Sequence, residues 1–140
     1  MSESSPNELF YDAPAGAFSE GHVFRTAPNL TSAIDDPANG YWHCDIEDDD
    51  TLTWSEKVYE LFGLSAGAPI ERERAVALYS ERSRAALERV RTLGLNRKIG
   101  FILDAEISLD GLNGRWIRVL AVPIMKDGQV VGLHGLKRAL

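Results

Sequence analysis

The sequence predicts an α+β domain: an antiparallel sheet backed by helices on one side. Three observations carry this. Residues 115–138 read as a β-hairpin, two β-rich runs joined by the tight turn Lys126-Asp127-Gly128-Gln129. Residues 101–109 alternate Leu103, Ala105 and Ile107 with Asp104, Glu106 and Ser108, the period of a strand with one wet face. Before them, residues 68–94 are rich in Ala, Glu, Arg and Leu at helical spacing.

In chain order, residues 1–38 come first and differ in texture. They hold Pro6, Pro14, Pro28 and Pro37 among scattered apolar groups: Leu9, Phe10, Tyr11, Phe18, Val23 and Phe24. Prolines at that density break long helices and central strands, while the aromatics argue against a disordered tail. The expectation is an extended arm with one short helix near residues 29–35, docked on its own domain or on a neighbour. The domain proper then occupies residues 39–140.

Residues 41–46 alternate Trp42, Cys44 and Ile46 against Tyr41, His43 and Asp45, which marks a strand. Glu47-Asp48-Asp49-Asp50 follows as an acidic turn, then residues 51–54 as a second strand. Ser55 is placed to cap a helix, with Glu56 in the first turn, where the helix dipole favours negative charge. That helix puts Val58, Leu61 and Phe62 on one side and ends at Gly63, a left-handed C-cap. Residues 68–94 divide into a shorter and a longer helix, because Tyr79-Ser80 interrupts the apolar stripe. Ser80 caps the second helix and Gly94 stops it. Asp110-Gly111 and Asn113-Gly114 supply the left-handed positions of the turn before the final hairpin.

These pieces together resemble a PAS domain. Gly40-Tyr41-Trp42-His43-Cys44-Asp45-Ile46, then Trp54-Ser55 running into Tyr59-Glu60-Leu61-Phe62-Gly63, is similar to the opening of that family. Asp110-Gly111 before Arg115-Trp116-Ile117, then Asp127-Gly128-Gln129-Val130-Val131-Gly132-Leu133-His134-Gly135, resembles the PAS-3-like subgroup. The resemblance covers residues 40–137. It implies a five-stranded antiparallel sheet in the order 2-1-5-4-3, with helices cupping one face around a small cavity. It also implies a sensory and dimerisation module, often upstream of histidine kinases or cyclic-di-nucleotide enzymes. Two family features are missing: the His-Pro-x-Asp before the long helix, and the Asp-Ile-Thr-like exit after the sheet.

Composition narrows the function classes. The chain has 140 residues with 15 Lys plus Arg against 21 Asp plus Glu, a formal charge of -6. Nucleic acid and anionic lipid both select a clustered positive field. Here the basic residues between Arg72 and Arg97 are interleaved with Glu71, Glu73, Glu81 and Glu88, a solvated helix face. The start, MSESSPNELF, has neither the positive charge nor the apolar core of a signal peptide. No apolar run approaches the ~18 residues of a membrane span. A cytoplasmic protein is expected, with no nucleic-acid or membrane partner.

Candidate chemistry is sparse. The resemblance implies that haem would need a histidine in the long helix, where residues 80–95 have none, and that flavin photochemistry would need an Asn-Cys-Arg-Phe-Leu-Gln motif, which is absent. No cofactor is therefore expected, although an unidentified small ligand fits. Cys44, the single cysteine, reads as a small buried hydrophobe. His43 and His134 fall on strands that the PAS order makes neighbours, but two histidines without a third ligand are a weak metal signal, and no metal is expected. The acidic turn lacks the alternating spacing of a calcium loop. Ser55 stands outside any nucleophile-elbow setting, so no catalytic residue is assigned. Phe62, Tyr79, Leu87, Val90, Phe101 and Leu103 either line a ligand cavity or fill the core; the residues leave both open.

The last hairpin adds one more signal. From Trp116 to Ile124 both faces of the strand are largely apolar, whereas an antiparallel strand with a wet face alternates cleanly. Something must cover the face away from the helices: the arm, a second copy or a partner. Ile117, Val119 and Ala121, with Phe10 and Phe18 of the arm, are the expected interface residues. The favoured reading is a non-catalytic PAS-type sensory and interaction domain, homodimeric or bound to a signalling partner such as a histidine kinase or a cyclic-di-nucleotide signalling protein. The alternative is a small α+β enzyme or hydrophobic-ligand carrier with a deep cavity.

Overall fold

The computed structural model describes residues 4–109 and 112–140; the turn expected at Asp110-Gly111 lies outside them. The first elements are α1 (Pro6–Asp12), β1 (His22–Phe24), α2 (Leu30–Ile34), β2 (Gly40–Asp45) and β3 (Thr51–Trp54). Three helices follow, α3 (Glu56–Leu61), α4 (Arg72–Ala77) and α5 (Glu81–Arg97), then β4 (Gly100–Leu109), β5 (Leu112–Lys126) and β6 (Gln129–Ala139).

The strands form one antiparallel sheet in the order β1-β4-β5-β6-β2-β3. The implied order 2-1-5-4-3 is present as β3-β2-β6-β5-β4. The sheet has six strands rather than five because the arm adds β1 along the open edge of β4, with His22 opposite Ile102 and Phe24 opposite Gly100. An edge strand offers a row of unpaired N–H and C=O groups, and the chain satisfies this one from several places. The Asp104 amide donates to the Phe18 carbonyl, the Ser108 amide donates to Leu78, and the Ser80 amide donates to Glu106.

Local chemistry explains the helices. The short helix predicted near residues 29–35 is α2, capped by the Asn29 side chain, which accepts from the Thr31 amide. Ser55 does precede α3, yet its hydroxyl accepts from the Tyr41 amide and ties helix to sheet. Gly63 takes the left-handed φ of 69° expected of a C-cap. Ser80 caps α5, accepting from the Ser83 amide. Gly94 does not stop that helix, which runs on to Arg97 and turns at Lys98 (φ 58°). Gly94 serves packing instead, because a Cβ there would lie 3.2 Å from the Phe101 ring.

The hairpin closes as expected, with Asp127 (φ 50°) and Gly128 (φ 77°) in the left-handed positions of a two-residue loop. Asn113-Gly114 is strand rather than turn, at a register shift in the β4–β5 ladder. A Cβ on Gly114 would come within 1.9 Å of the Ile107 carbonyl oxygen, so close approach, not turn geometry, demands glycine there.

Each face of the sheet has its own core. On one, α3, α4 and α5 pack over Trp42, Cys44, Trp54, Phe101, Leu103, Ala105, Ile107, Ile117, Val119, Ala121 and Leu133. On the other, α1 and α2 bring Phe10 and Ala33 onto Ile102, Leu120 and Leu136. Helices thus lie on both faces, and the arm is what covers the second. The expected wet face of β4 is dry at its centre, since Asp104 is fully buried. It accepts two hydrogen bonds from Arg118 of β5, at 2.7 and 2.9 Å, and two more from the Gly16 and Phe18 amides. Arg118 spends its other donors on the carbonyls of Leu9, Phe10, Ala13 and Pro14 where α1 ends. The sequence shows a polar alternation there because the pair that anchors the arm is itself polar.

Candidate functional site

The helix face of the sheet encloses a cavity of about 60 Å³. Its walls include Trp42 and Cys44 of β2, Trp54 of β3, Val119 of β5, and Leu133 and Lys137 of β6. The roof comes from Arg72, Ala75 and Val76 of α4, Tyr79, and Leu87 and Arg91 of α5. None of the described residues lining it is a carboxylate or a histidine.

Lys137 is the unusual member. It sits opposite Gly40 on β2 and Val119 on β5, at an inward position of β6. It is only 7% exposed, and its Nζ donates to the Tyr79 hydroxyl oxygen at 3.0 Å. Four rings surround the ammonium: Phe62 at 4.9 Å, Trp42 at 5.4 Å, Trp54 at 5.5 Å and Tyr79 at 5.6 Å to the centroids. Those rings brace one another. Trp54 stacks on Phe62, and Phe62 meets Tyr79 edge to face. Burial pushes the lysine pKa down to about 7, because removing an ammonium from water disfavours its charged form. The negative faces of the rings offset part of that cost. Burial also raises the Tyr79 hydroxyl well above its ordinary value, so it stays neutral.

Two ion pairs pin the roof. Arg72 of α4 binds Glu88 of α5, and Arg91 of α5 meets Asp50 of the acidic turn at 3.2 Å. The same Asp50 carboxylate lies 3.6 Å from the Cys44 sulfur. Burial, and then Asp50, push the Cys44 thiol up, which keeps it protonated and unreactive. Outside the roof lies an open cleft of about 930 Å³ that shares Leu52, Arg72 and Val76 with the cavity walls.

Of the residues expected to line a cavity, Tyr79, Leu87 and Phe101 do so, while Phe62, Val90 and Leu103 sit in the surrounding core. Ile117, Val119 and Ala121 face the helices and are at most 2% exposed, so they form no outward interface. Phe10 and Phe18 do lie on the arm against the outer face, with Phe18 under the Arg118 guanidinium at 5.1 Å. His43 and His134 are direct cross-strand partners on that face. His134 bonds through Nδ1 to the Tyr41 hydroxyl at 2.9 Å, and burial followed by His43 lowers its pKa. Sequence reasoning missed Trp42, Trp54 and Lys137 as cavity residues. The signal for Lys137 was the period of β6, where Leu133, Gly135 and Lys137 share one face.

No family profile and no curated protein sequence matches the chain. Solved structures do. The N-terminal domain of a diguanylate cyclase with PAS/PAC sensor from Marinobacter aquaeolei superposes with a TM-score of 0.64 at 14% identity, covering 72% of this chain and 94% of that one. A sensory box histidine kinase/response regulator from Burkholderia thailandensis gives 0.65 at 12% identity, over 81% and 85%. The PAS domain of the fruit-fly ELK potassium channel gives 0.58 at 13% identity, over 79% and 94%. The chain has the PAS fold.

Proposed function

We propose that this PAS-fold chain is a non-catalytic sensory domain of signal transduction, which binds a small molecule in the cavity beneath α4 and α5. One observation carries the reading: a buried lysine, without a salt bridge among the described residues, lines that cavity with its ammonium among four aromatic rings. An ammonium in a dry site is costly unless something compensates it, and a core with no ligand to meet would be better filled by an apolar side chain. The strand that turns Lys137 inward turns Arg138 outward, where its guanidinium lies 4.8 Å from the Tyr11 ring of α1. Ligand and arm therefore meet on adjacent residues of β6, and arm docking is the output in this account.

The finer assignment is to two-component or cyclic-di-nucleotide signalling, with a histidine kinase or a diguanylate cyclase as output partner. Its support is that the similar structures are pieces of proteins so described. Self-association, expected from the sequence, must then use surface other than Ile102, Leu120 and Leu136, which the arm occupies. Among the described residues no helix is long and apolar enough to cross a membrane. The test is native mass spectrometry of freshly purified protein, followed by a thermal-shift survey of small metabolites. The reading expects a retained small-molecule mass or a compound class that raises Tm. Bare protein that answers to no compound would overturn it.

A further inference from the structure

The cavity presents more donors than its own acceptors can use. An ammonium has three N–H donors, and Lys137 places one, on the Tyr79 hydroxyl oxygen. Among the described residues it forms no salt bridge. Trp42 adds an indole Nε1 that is buried with no partner among the described residues. Both side chains line the cavity and both are 7% exposed. Arg72 and Arg91 also line it, while their carboxylate partners Glu88 and Asp50 do not. Each of these two guanidinium groups is already paired with its carboxylate, so Lys137 and Trp42 are the lining groups with donors left over among the described residues. What remains of the wall is apolar: Leu87, Phe101, Val119 and Leu133 among others.

Buried donors without acceptors are rare in folded proteins and mark a missing partner. Here the missing partner is an anion, and the apolar wall gives it a tail. We propose that the cavity binds a small monocarboxylate, with its carboxylate between Lys137 Nζ and Trp42 Nε1 and its short apolar tail against Leu87, Phe101, Val119 and Leu133. This inference rests on the sensory reading and names the ligand class for the same site. Size limits the class. A water needs about 10–15 Å³ of such space, so a cavity of about 60 Å³ holds roughly four to six groups of that size, an acid of two to four carbons. Phosphate and sulfate fit poorly, since they bring more acceptor oxygens than the two free donor groups satisfy and have no tail for the apolar wall.

The charge on Lys137 makes binding depend on pH. The titratable and charged groups that share the cavity lining with it are Cys44 from β2, Tyr79 before α5, Arg72 from α4, and Arg91 from α5, which is paired with Asp50. Of these, Cys44 and Tyr79 stay protonated through neutrality, so Lys137 is the group that titrates. With its pKa at about 7 in the empty cavity, affinity for an anion falls by at least about tenfold between pH 6.5 and 8.5.

Butyrate and its neutral isostere butyramide test the assignment by calorimetry and thermal shift at pH 6.5. Butyrate raises Tm and butyramide binds at least tenfold more weakly. Lys137→Met keeps the fold and loses the preference for the anion, and Trp42→Phe, which keeps the ring but not the N–H, weakens butyrate severalfold. Should Lys137→Met fail to fold, the Trp42→Phe comparison and the pH profile of the wild type carry the decision. Equal binding of the two compounds, or butyrate affinity that survives both substitutions and the pH change, overturns the carboxylate assignment. If neither compound binds while native mass spectrometry finds another small molecule retained, the sensory reading stands and the ligand class falls; bare protein overturns both.

Discussion

Arg118 and Lys137 are two cations buried against opposite faces of one sheet, and the chain compensates them differently. Arg118 has a carboxylate and four carbonyls. Removing one member of a buried pair leaves the other uncompensated, at a cost of about 3–5 kcal/mol. Arg118→Met should therefore lower the unfolding free energy by that amount in urea, and Arg118→Met with Asp104→Leu should recover only part of it, because the Gly16 and Phe18 amides then lose their acceptor. Lys137 has one hydroxyl and four rings, and its stability contribution depends on pH. In the unfolded chain the amine keeps its proton up to its ordinary 10.5, in the fold only to about 7. Between those values the unfolded state binds more protons, so stability rises with pH. Urea unfolding of the wild type should gain on the order of 1–2 kcal/mol from pH 7 to 8.5, and Lys137→Met should flatten that rise. The window avoids His134, whose lowered pKa acts below it. An unchanged slope in the variant would place the titration elsewhere.

At the level of elements, legibility followed the strength of local chemistry. The final hairpin, the Ser80 boundary and α2 were readable because turn residues and caps fix them whatever packs nearby. β1 was not, because His22–Phe24 is too short to show a period and becomes a strand only by meeting the edge of β4. Asp104 reads as wet in the sequence because its compensation comes from Arg118, on another strand, and from amides of the arm. Lys137 was legible by counting inward from Leu133, yet a lysine near a strand end reads by habit as exposed. The arm itself offers a test. Phe10 is 1% exposed at the centre of the outer core, and a large-to-small change at such a site costs about 3–5 kcal/mol. Phe10→Ala should cost this much. Phe10→Asp should release α1, uncover Ile102, Leu120 and Leu136, and give association that grows with concentration in light scattering. A monomeric Phe10→Asp protein of wild-type stability would show that the arm is not the cover.

For the whole molecule, the account is a sheet with a ligand side and an arm side, joined where β6 turns Lys137 one way and Arg138 the other. A ligand in the cavity would change the charge state and hydrogen bonds of Lys137, and the neighbouring Arg138 stacks on the arm. Hydrogen exchange of the α1 amides should therefore change when ligand binds, although α1 contributes no residue to the cavity lining. The central claim is that the lysine-centred cavity takes up a small molecule, and an ¹H–¹⁵N correlation spectrum titrated with butyrate tests it most directly. The account predicts that the Trp42 indole N–H and the amides from Leu133 to Lys137 shift together with one saturating affinity. Shifts confined to exposed lysines and arginines, or a silent Trp42 indole at saturating butyrate, would contradict it.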